Sequence, residues 1–387
     1  MVRVVVTGGG TGGHVYPSIA VACRLLEAHP DAAILFVGSA AGPESEAARR
    51  SGIRFEGIPL KGLVGKRPRD RLQALVLFVR GLLRCRRLLH EFKATCVVGT
   101  GGFAAAPGCV AALTLRIPLV LQEPNYHPGL VTRLLARRAY AVACAYPETA
   151  GLLPAGTHTV VTGVAVRPEI EKLRQDEGFR RAAREQAQGE FGLQTGRSTL
   201  LVFGGSQGAE AMNKAVWEMV PELRRRSDLQ VIHVTGRRDY SDPKLDAVLH
   251  ECRDEGEELT YRAIPYTENI YMLYAAADLA VTRAGAGTIA ELSVAGVPAV
   301  LVPFPYATEG HQESNAEEAA RAGWAEVVKQ DGPSAIRGLE RALELVDDPE
   351  ALDRMRAAAA GTASPPSAKG IVALVEELTG RGRPGRC

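Results

Sequence analysis

Two glycine-rich segments, about 200 residues apart, have the residue types of loops that bind phosphate. The first is Gly8-Gly-Gly-Thr-Gly-Gly-His14 and the second is Gly204-Gly-Ser-Gln-Gly208. Each follows a short aliphatic run and precedes a helical pattern, an order that directs backbone N–H groups and the positive end of a helix dipole toward an anion. The pair predicts two Rossmann-like halves that handle a nucleotide-linked or diphosphate-linked substrate in a cleft between them.

The first loop satisfies the dinucleotide-binding pattern G-x-G-x-x-G through Gly8, Gly10 and Gly13. The second predicted strand, however, lacks the terminal acidic residue that holds the ribose of NAD, so this interpretation is disfavoured. His14 falls in the first turn of the following helix, where the dipole disfavours imidazolium and leaves a neutral ring that can deprotonate a sugar hydroxyl. The alternative is a histidine that only caps or packs the loop.

Other candidate binding residues follow further predicted strands. Gly99-Thr-Gly-Gly-Phe103 and Gln122-Glu-Pro-Asn125 each end a strand of the first half, at the sheet edge where open α/β sheets bind ligands. The first of these segments is equally compatible with a plain tight turn. In the second half, Glu291 lies one turn into a helix, where it either accepts both hydroxyls of a ribose or only offsets the dipole. Gln312 and Asn315 share a helix face and suit neighbouring sugar hydroxyls.

The segment Arg69–Leu89 combines an apolar helical pattern with a stripe of arginines. This combination is typical of a helix that docks on an anionic membrane surface. A core helix with a solvated basic edge is the alternative. The predicted docking residues are Leu75, Phe78, Leu82, Arg80 and Arg84.

Composition favours a globular protein of two domains. The chain has 387 residues, of which 46% are hydrophobic and 23% charged, and its net charge of +2 gives no overall attraction to nucleic acid. Its seven cysteines lack metal-ligand spacing and are interpreted as buried thiols of a reducing compartment. No apolar stretch reaches the ~18–20 residues that cross a bilayer, and no secretory leader precedes the first strand. A cytosolic protein is expected.

Aliphatic runs alternate with helical patterns along the whole chain, as in buried parallel sheets with helices on both faces. The strands predicted in the first half are Val2–Thr7, Ala33–Val37, Cys96–Val98, Leu119–Gln122, Ala141–Cys144 and Thr159–Thr162. Those in the second half are Leu200–Phe203, Gln230–Thr235, Thr260–Ala263, Leu279–Thr282, Ala299–Val302 and Ala325–Val328. Predicted helices include Pro17–Ala28, Glu44–Ser51, Ala209–Arg226 and Thr288–Ala295.

Taken in this order, the motifs closely resemble the bacterial N-acetylglucosaminyltransferases of peptidoglycan synthesis, the MurG family. The resemblance covers almost the whole chain and includes Gly-Gly-Thr-Gly-Gly-His14, Gly-Thr-Gly-Gly-Phe103, Glu-Pro-Asn125, Gly-Gly-Ser-Gln-Gly-Ala209, Arg-Ala-Gly-Ala-Gly-Thr-Ile-Ala-Glu291 and Pro-Phe-Pro-Tyr306 with His-Gln-Glu-Ser-Asn315. It implies an α/β GT-B fold of two Rossmann-like parallel-sheet domains facing across a cleft. It also implies inverting transfer of GlcNAc from UDP-GlcNAc to the C4 hydroxyl of MurNAc in undecaprenyl-pyrophosphoryl-MurNAc-pentapeptide (lipid I), which gives lipid II.

The resemblance assigns the acceptor and the membrane surface to residues 1–164 and UDP-GlcNAc to residues 165–365. The C-terminal helix, about 366–380, would pack back on the first domain, and 381–387 would be a flexible tail. His14 is the implied general base. The implied acceptor-binding residues are Gly10, Thr11, Gly101, Gly102 and Asn125. The implied donor-binding residues are Glu291 at the ribose; Tyr266 and Thr267 at the uracil; Ser206 and Arg167 at the diphosphate; Thr288, Gln312 and Asn315 at GlcNAc; and Thr11, Gly12, Gly13, Asn125, Gln207 and Gly287 elsewhere.

The remaining expectations concern cofactors, partners and departures from the family pattern. UDP-GlcNAc is expected as a substrate, and no cofactor or protein-held metal is expected, because no Asp-x-Asp motif ends a strand. The implied partners are the undecaprenyl-pyrophosphate-linked acceptor, the anionic cytoplasmic surface of the plasma membrane, where the protein would be peripheral, and a cell-wall synthesis complex. The chain reads Gly163-Val-Ala-Val-Arg167 for the usual Gly-Asn-Pro-Val-Arg, Gln122-Glu-Pro-Asn125 for His-Glu-Gln-Asn, and Phe103 for tyrosine.

Three rival functions remain compatible with the motifs. They are a glycosyltransferase with a diacylglycerol or natural-product acceptor, a UDP-GlcNAc 2-epimerase, and a non-catalytic protein that binds a nucleotide sugar. The basic apolar helix disfavours the epimerase. His14, together with Gln312 and Asn315, disfavours the binding protein.

Overall fold

The computed structural model describes residues 2–10, 12–42, 44–60, 68–205, 209–252, 259–307, 310–330, 335–362 and 367–380. They divide into two compact units, which are described separately. Unit 1 comprises Met1–Pro168 and Ser364–Cys387, and unit 2 comprises Glu169–Ala363.

The described residues of unit 1 form one sheet of seven parallel strands. In chain order the strands are β1 (Arg3–Thr7), β2 (Ala33–Ser39), β3 (Arg54–Ile58), β4 (Cys96–Gly99), β5 (Leu119–Glu123), β6 (Ala141–Cys144) and β7 (Thr159–Val161). Their order across the sheet is β3-β2-β1-β4-β5-β6-β7. The direction of winding therefore reverses between β1 and β4, and such a reversal is where doubly wound sheets bind ligands.

Helices cover both faces of this sheet. They are α1 (Gly12–Ala28), α2 (Glu44–Arg50), α3 (Pro68–Phe92), α4 (Ala106–Thr114), α5 (Leu130–Leu135) and α15 (Ser367–Thr379). Because side chains alternate along a strand, Val4 packs in the core beneath α1 and α15, and Val5 packs in the core beneath α3 and α4. The C-terminal helix α15 is also bonded to the residue that follows α1, because His29 Nε2 lies 2.8 Å from Glu376 Oε1.

Unit 2 repeats the order of the first six strands of unit 1. Among its described residues the strands are β8 (Ser198–Phe203), β9 (Leu229–Val234), β10 (Thr260–Ile264), β11 (Leu279–Thr282), β12 (Ala299–Leu301) and β13 (Ala325–Val327), in the order β10-β9-β8-β11-β12-β13. The helices are α6 (Pro168–Gln175), α7 (Glu177–Phe191), α8 (Glu210–Leu223), α9 (Pro243–Glu251), α10 (Ile270–Ala276), α11 (Ala286–Ala295), α12 (His311–Arg321), α13 (Ile336–Val346) and α14 (Pro349–Thr362). Here the winding reverses between β8 and β11.

The predicted strands are confirmed, with small shifts of their ends, and the structure adds one strand and lengthens one helix. Strand β3 is an additional strand that the aliphatic pattern missed, because its sequence, Arg-Phe-Glu-Gly-Ile, is short and mixed and lies at the edge of the sheet. Helix α1 begins at Gly12 and not at Pro17, which lies inside it. His14 is in its first turn, as expected.

A buried histidine joins three elements of unit 2. His233 Nε2 donates to Asn213 Oδ1 at 2.9 Å, and the Tyr261 hydroxyl lies 2.7 Å from His233 Nδ1. The Asn213 amide nitrogen donates in turn to Thr235 O and Asp239 Oδ2. Burial lowers the pKa of His233 to about 3, because desolvation disfavours the imidazolium.

We expect unit 2 to lose stability as the pH falls below about 6.5, the ordinary pKa of histidine, because the unfolded chain then binds a proton that the folded chain excludes. The loss continues down to the folded-state pKa of about 3. Between about pH 7 and pH 5, the free energy of unfolding should fall by about 2 kcal/mol more in the wild type than in His233→Gln. Urea unfolding measures this through the fluorescence of Trp217 and Trp324, both in unit 2. Equal losses in the two proteins would contradict the expectation.

Candidate active site

In each unit, the predicted functional loops follow the two strands that flank the reversal of winding. In unit 1, residues 8–10 follow β1 and residues 100–102 follow β4. In unit 2, residues 204–205 follow β8 and residues 283–285 follow β11. Since parallel strands end at the same sheet edge, each pair of loops forms one rim, the usual ligand site of an open α/β sheet.

His14 lies against the second loop of unit 1. Its Nδ1 is 3.0 Å from the carbonyl oxygen of Thr100, so Nδ1 carries the proton and Nε2 is the basic nitrogen. Gly101 and Gly102 have φ values of +92° and +75°, and a Cβ on either would lie about 3 Å from the imidazole. These two glycines are therefore required for the ring to rest on the backbone.

Burial lowers the pKa of His14. Desolvation of the ring is the main cause, and the bond to the Thr100 carbonyl acts in the opposite direction by stabilising the protonated form. The direction agrees with the prediction from the dipole of α1, but the principal cause is burial. The ring is neutral near pH 7 and able to accept a proton at Nε2.

Two buried hydroxyls hold the backbone of His14. Ser18 Oγ and Thr100 Oγ1 lie 2.9 Å and 3.0 Å from the His14 carbonyl oxygen, and 2.6 Å from each other. A Cβ on Gly8 would lie 2.0 Å from Thr100 Oγ1, so this glycine makes room for the hydroxyl. Sequence reasoning missed both residues, although the Thr in the Gly-Thr-Gly-Gly segment was an available signal.

A buried carboxylate lies beside the first glycine loop. Glu44, the first residue of α2, is fully buried, and its Oε1 accepts a hydrogen bond from the Gly10 N–H at 2.6 Å. A Cβ on Gly9 or Gly42 would lie within 1.8 Å of a Glu44 oxygen. Gly9 therefore makes room for a protein carboxylate, and the Gly10 N–H, predicted to bind the acceptor pyrophosphate, is already bonded within the unit.

The segment after β5 is organised by Glu123. Its Oε1 accepts from the backbone N–H and the side-chain amide of Asn125, both at 3.0 Å, and its Oε2 accepts from the Gly129 N–H at 2.9 Å. These bonds set the orientation of the Asn125 amide. Gln122, at the position where the family has histidine, is buried, and within the described ranges its side-chain amide has no hydrogen-bond partner.

Arg167 lies near the start of α1. Its guanidinium carbon is 4.5 Å from the centroid of the Tyr16 ring, within the range of a cation–π contact. Gly12 and Gly13 are the first residues of α1. The predicted site residues Thr11, Ser206 and Gln207 lie outside the described residues.

In unit 2, Glu291 lies on α11, which also contains Gly287 and Thr288 in its first turn. The Glu291 side chain is only 8% exposed, and its Oε2 accepts a hydrogen bond from the hydroxyl of Tyr274 at 3.1 Å. Tyr274 belongs to α10 and is fully buried. Sequence reasoning missed it because a tyrosine in an apolar helix looks like a core residue.

The turn that follows β10 contains the predicted uracil-binding residues. The Tyr266 hydroxyl donates to Glu268 Oε1 at 3.0 Å, and the Arg237 guanidinium carbon is 5.1 Å from the centroid of the Tyr266 ring. Thr267 Oγ1 accepts from the Asn269 N–H at 3.0 Å, which closes the turn. An aromatic face and a fixed backbone segment therefore lie next to each other.

Arg283 supports the loop that contacts Gln312. Its guanidinium donates to the carbonyl oxygens of Val302 and Pro303 at 3.0 and 3.3 Å, and desolvation lowers its pKa to about 10. The next residue of that loop, Phe304, donates its N–H to Gln312 Oε1 at 2.9 Å. Asn315 is buried on α12, three residues after Gln312.

The exposed face of helix α3 includes Leu75 of the predicted docking residues, but Phe78 and Leu82 lie on its packed side. The Phe78 ring packs 6.0 Å from that of Phe103, and Leu82 packs against the core of unit 1. A helical wheel that is apolar on both sides does not reveal which side faces the sheet, and buried Cys85 and Leu89 mark that side. We call the opposite, solvent-exposed set, with exposed fractions of 44–65%, the α3 stripe: Leu72, Leu75, Val76, Val79 and Leu83.

The arginines beside the α3 stripe differ in their surroundings. Both Arg80 and Arg84 are exposed, and Arg84 also donates to Glu56 at 3.1 Å. Across the described ranges, no helix is long and apolar enough to cross a membrane. The same residues contain no group of three or more His, Cys, Asp or Glu side chains placed to hold a metal ion. The expectation that no protein-held metal takes part stays a prediction.

Two Rossmann-like parallel sheets, each with polar side chains and glycine loops at its reversal of winding, are the α/β domains of a GT-B fold. The model of the glycosyltransferase family 28 N-terminal domain matches residues 4–144, and that of the family 28 C-terminal domain matches residues 199–371. The chain belongs to glycosyltransferase family 28 and, within it, to the MurG family.

Individual proteins agree with this assignment. The chain is 39% identical to the UDP-N-acetylglucosamine--N-acetylmuramyl-(pentapeptide) pyrophosphoryl-undecaprenol N-acetylglucosamine transferase of Moorella thermoacetica, over 96% of this chain and 98% of that one. The crystal structure of Acinetobacter baumannii MurG is 28% identical, with a TM-score of 0.71 over 97% and 100% of the two chains. The UDP-GlcNAc 2-epimerase of Neisseria meningitidis, bound to UDP-GlcNAc, has a TM-score of 0.67 over 99% and 100% at 15% identity, which shows a common fold alone.

We expect Glu44→Ala to loosen the first glycine loop, because the variant leaves the Gly10 N–H without its acceptor. The free energy of unfolding should fall by about 1–3 kcal/mol, and amide exchange in the peptide that contains Gly10 should accelerate. Hydrogen exchange followed by mass spectrometry measures the local effect.

Two further variants test the cause of that change. Glu44→Gln keeps an acceptor oxygen and should change much less. Glu46→Ala, on the same helix but pairing with Arg49 at the surface, serves as the matched control and should change the stability by less than about 1 kcal/mol. Equal effects of Glu44→Ala and Glu46→Ala would refute the assignment.

Proposed function

We propose that this chain transfers GlcNAc from UDP-GlcNAc to the C4 hydroxyl of MurNAc in lipid I, with inversion, and so forms lipid II for peptidoglycan synthesis. The observation that carries the proposal is the position of His14, whose neutral ring lies at the rim of unit 1. The proposal is supported by the 39% identity of this chain to a transferase named for this reaction. Unit 1 binds the acceptor and unit 2 binds the donor.

The reaction is a single displacement at the anomeric carbon of GlcNAc. The C4 oxygen of MurNAc forms the new bond as its proton passes to His14 Nε2, and the bonding electron pair leaves with the diphosphate of UDP. The bond from His14 Nδ1 to the Thr100 carbonyl supports this role, because it holds the ring in the tautomer whose Nε2 accepts. Ser18 and Thr100 position the backbone from which that ring extends.

The donor is bound by the rim of unit 2. Glu291 accepts the ribose hydroxyls, the Tyr266–Thr267 turn binds uracil, and Thr288, Gln312 and Asn315 bind GlcNAc. Ser206 and Gln207 contact the diphosphate, together with backbone N–H groups at the start of α8, whose dipole favours the leaving charge. The acceptor pyrophosphate is bound by the loops that contain Gly101, Gly102 and Asn125.

The protein acts as a peripheral enzyme on the anionic cytoplasmic surface of the plasma membrane. The α3 stripe supplies apolar side chains for the interface, and exposed arginines such as Arg80 attract acidic headgroups. The contact between Phe78 and Phe103 connects this helix to the Gly101–Gly102 loop. Because the acceptor lipid stays in the bilayer, this arrangement brings the loop close to its substrate.

The direct test incubates the purified protein with UDP-GlcNAc and a short-chain lipid I analogue. Release of UDP and a product heavier by one GlcNAc are expected. Release of UDP without that product, transfer only to a different acceptor, or conversion of UDP-GlcNAc to its C2 epimer without any acceptor would overturn the proposal.

His14→Ala should lower kcat by about 10²–10⁴-fold and leave the Kd for UDP nearly unchanged, because the histidine acts on the acceptor proton. In the wild type, the acidic limb of the kcat/KM profile should lie below about pH 6.5, since burial lowers the pKa of His14 and the neutral ring is the active form. Steady-state kinetics and calorimetry with UDP check these effects. His158→Ala, at an exposed histidine of unit 1, is the control. A parallel loss of turnover and UDP affinity would demote His14 to a binding residue.

The double variant Leu75→Glu with Val79→Glu should abolish binding to vesicles that contain anionic phospholipid, because it places two charges in the α3 stripe. Turnover of a short-chain, water-soluble acceptor should be retained. Vesicle flotation measures the binding, and Leu152→Glu, another exposed leucine of unit 1 outside α3, is the matched control. Retained vesicle binding by the double variant, or an equal loss in the control, would refute the role of the stripe.

A further inference from the structure

We propose that Tyr274 is a positioning residue that orients Glu291 for the two ribose hydroxyls of the donor nucleotide. The inference rests on the proposed function, which assigns the ribose to Glu291. It adds a residue that acts through Glu291 and not by touching the nucleotide.

The hydrogen bond between the two side chains joins neighbouring helices of unit 2. The Tyr274 hydroxyl on α10 is 3.1 Å from Oε2 of Glu291 on α11. The Tyr274 hydroxyl donates this bond, and the carboxylate oxygen accepts it. Both groups are buried, Tyr274 fully and Glu291 to all but 8%, which strengthens the bond relative to one at the surface.

The bond restricts a rotation that is otherwise soft. The terminal torsion of a glutamate side chain is broad and roughly two-fold, so an unrestrained carboxylate presents its oxygens in many directions. With Oε2 bonded to Tyr274, the carboxylate plane is set, and the group presents itself to vicinal hydroxyls in one orientation. A site that is oriented before binding loses less entropy when the ligand arrives.

Tyr274 is itself held by the sheet. Its ring centroid lies 6.0 Å from that of Phe203, the last residue of β8. The chain then enters the second glycine-rich loop at Gly204. The same strand end thus supports the residue that orients Glu291 and begins the loop assigned to the diphosphate.

We expect Tyr274 to contribute to the binding of the two ribose hydroxyls and not to the binding of the uracil or the diphosphate. Tyr274→Phe removes one hydroxyl and keeps the ring. Its Kd for UDP should rise about tenfold, and its Kd for 2′,3′-dideoxy-UDP should change by less than about twofold, because that ligand lacks the groups that Glu291 accepts. The Kd for 2′,3′-dideoxy-UDP divided by the Kd for UDP is the ratio that measures recognition of the diol. In Tyr274→Phe this ratio should fall toward its value in Glu291→Ala.

Isothermal titration calorimetry of the full chain with UDP and with 2′,3′-dideoxy-UDP measures this ratio in the wild type and in each variant. Tyr271→Phe is the matched control, because Tyr271 lies on the same helix and stacks on Phe179 at 5.6 Å between ring centroids. It should keep the wild-type ratio. A fraction of misfolded protein lowers the binding stoichiometry for both ligands and leaves the ratio unchanged.

Three results would overturn the inference. If Tyr274→Phe leaves both dissociation constants at their wild-type values while Glu291→Ala weakens UDP alone, Tyr274 does not orient Glu291. If Tyr274→Phe weakens both ligands equally, its role is structural only. If the wild type does not distinguish the two ligands, Glu291 does not bind the ribose. None of these measurements uses the acceptor, so failure of the transfer reaction is detected separately by the lipid I assay.

Discussion

The reversal of winding in each parallel sheet is the constraint on which both candidate sites depend. All strands run in one direction, so their carboxyl ends share an edge, and only at the reversal do the two following loops diverge and leave room for a ligand. In unit 1 this brings the loops after β1 and β4 together, and in unit 2 the loops after β8 and β11. Residues far apart in the chain, such as His14 and Thr100 with a separation of 86 positions, become hydrogen-bonded partners for this reason.

The glycines of the first rim do more than expose backbone to an anion. Gly8 makes room for the Thr100 hydroxyl, and Gly9 makes room for the Glu44 carboxylate. Gly101 and Gly102 allow the His14 ring to lie against the chain. The loop is thus shaped from inside by protein polar groups, and this internal bonding holds the His14 ring in a defined tautomer at the edge of the sheet.

The strands and the strand-end motifs were predictable because they follow from patterns of neighbouring residues. Runs of aliphatic residues located the predicted strands, and β3 was missed because a short edge strand with a charged residue lacks such a run. The strand-end motifs located His14 and Glu291. Residues that act through other residues, among them Glu44 and Tyr274, have no local signal, since their function depends on a partner far along the chain.

The sequence by itself determined the fold class, the family and the identity of the chemical groups, because hydrophobic period and motif order are properties of neighbouring residues. Tertiary structure decided which nitrogen of His14 is basic, which face of α3 meets solvent, and which N–H of the first loop is already bonded. Each of these depends on what packs against the residue across the sheet. Burial and partner atoms are set only when distant segments meet.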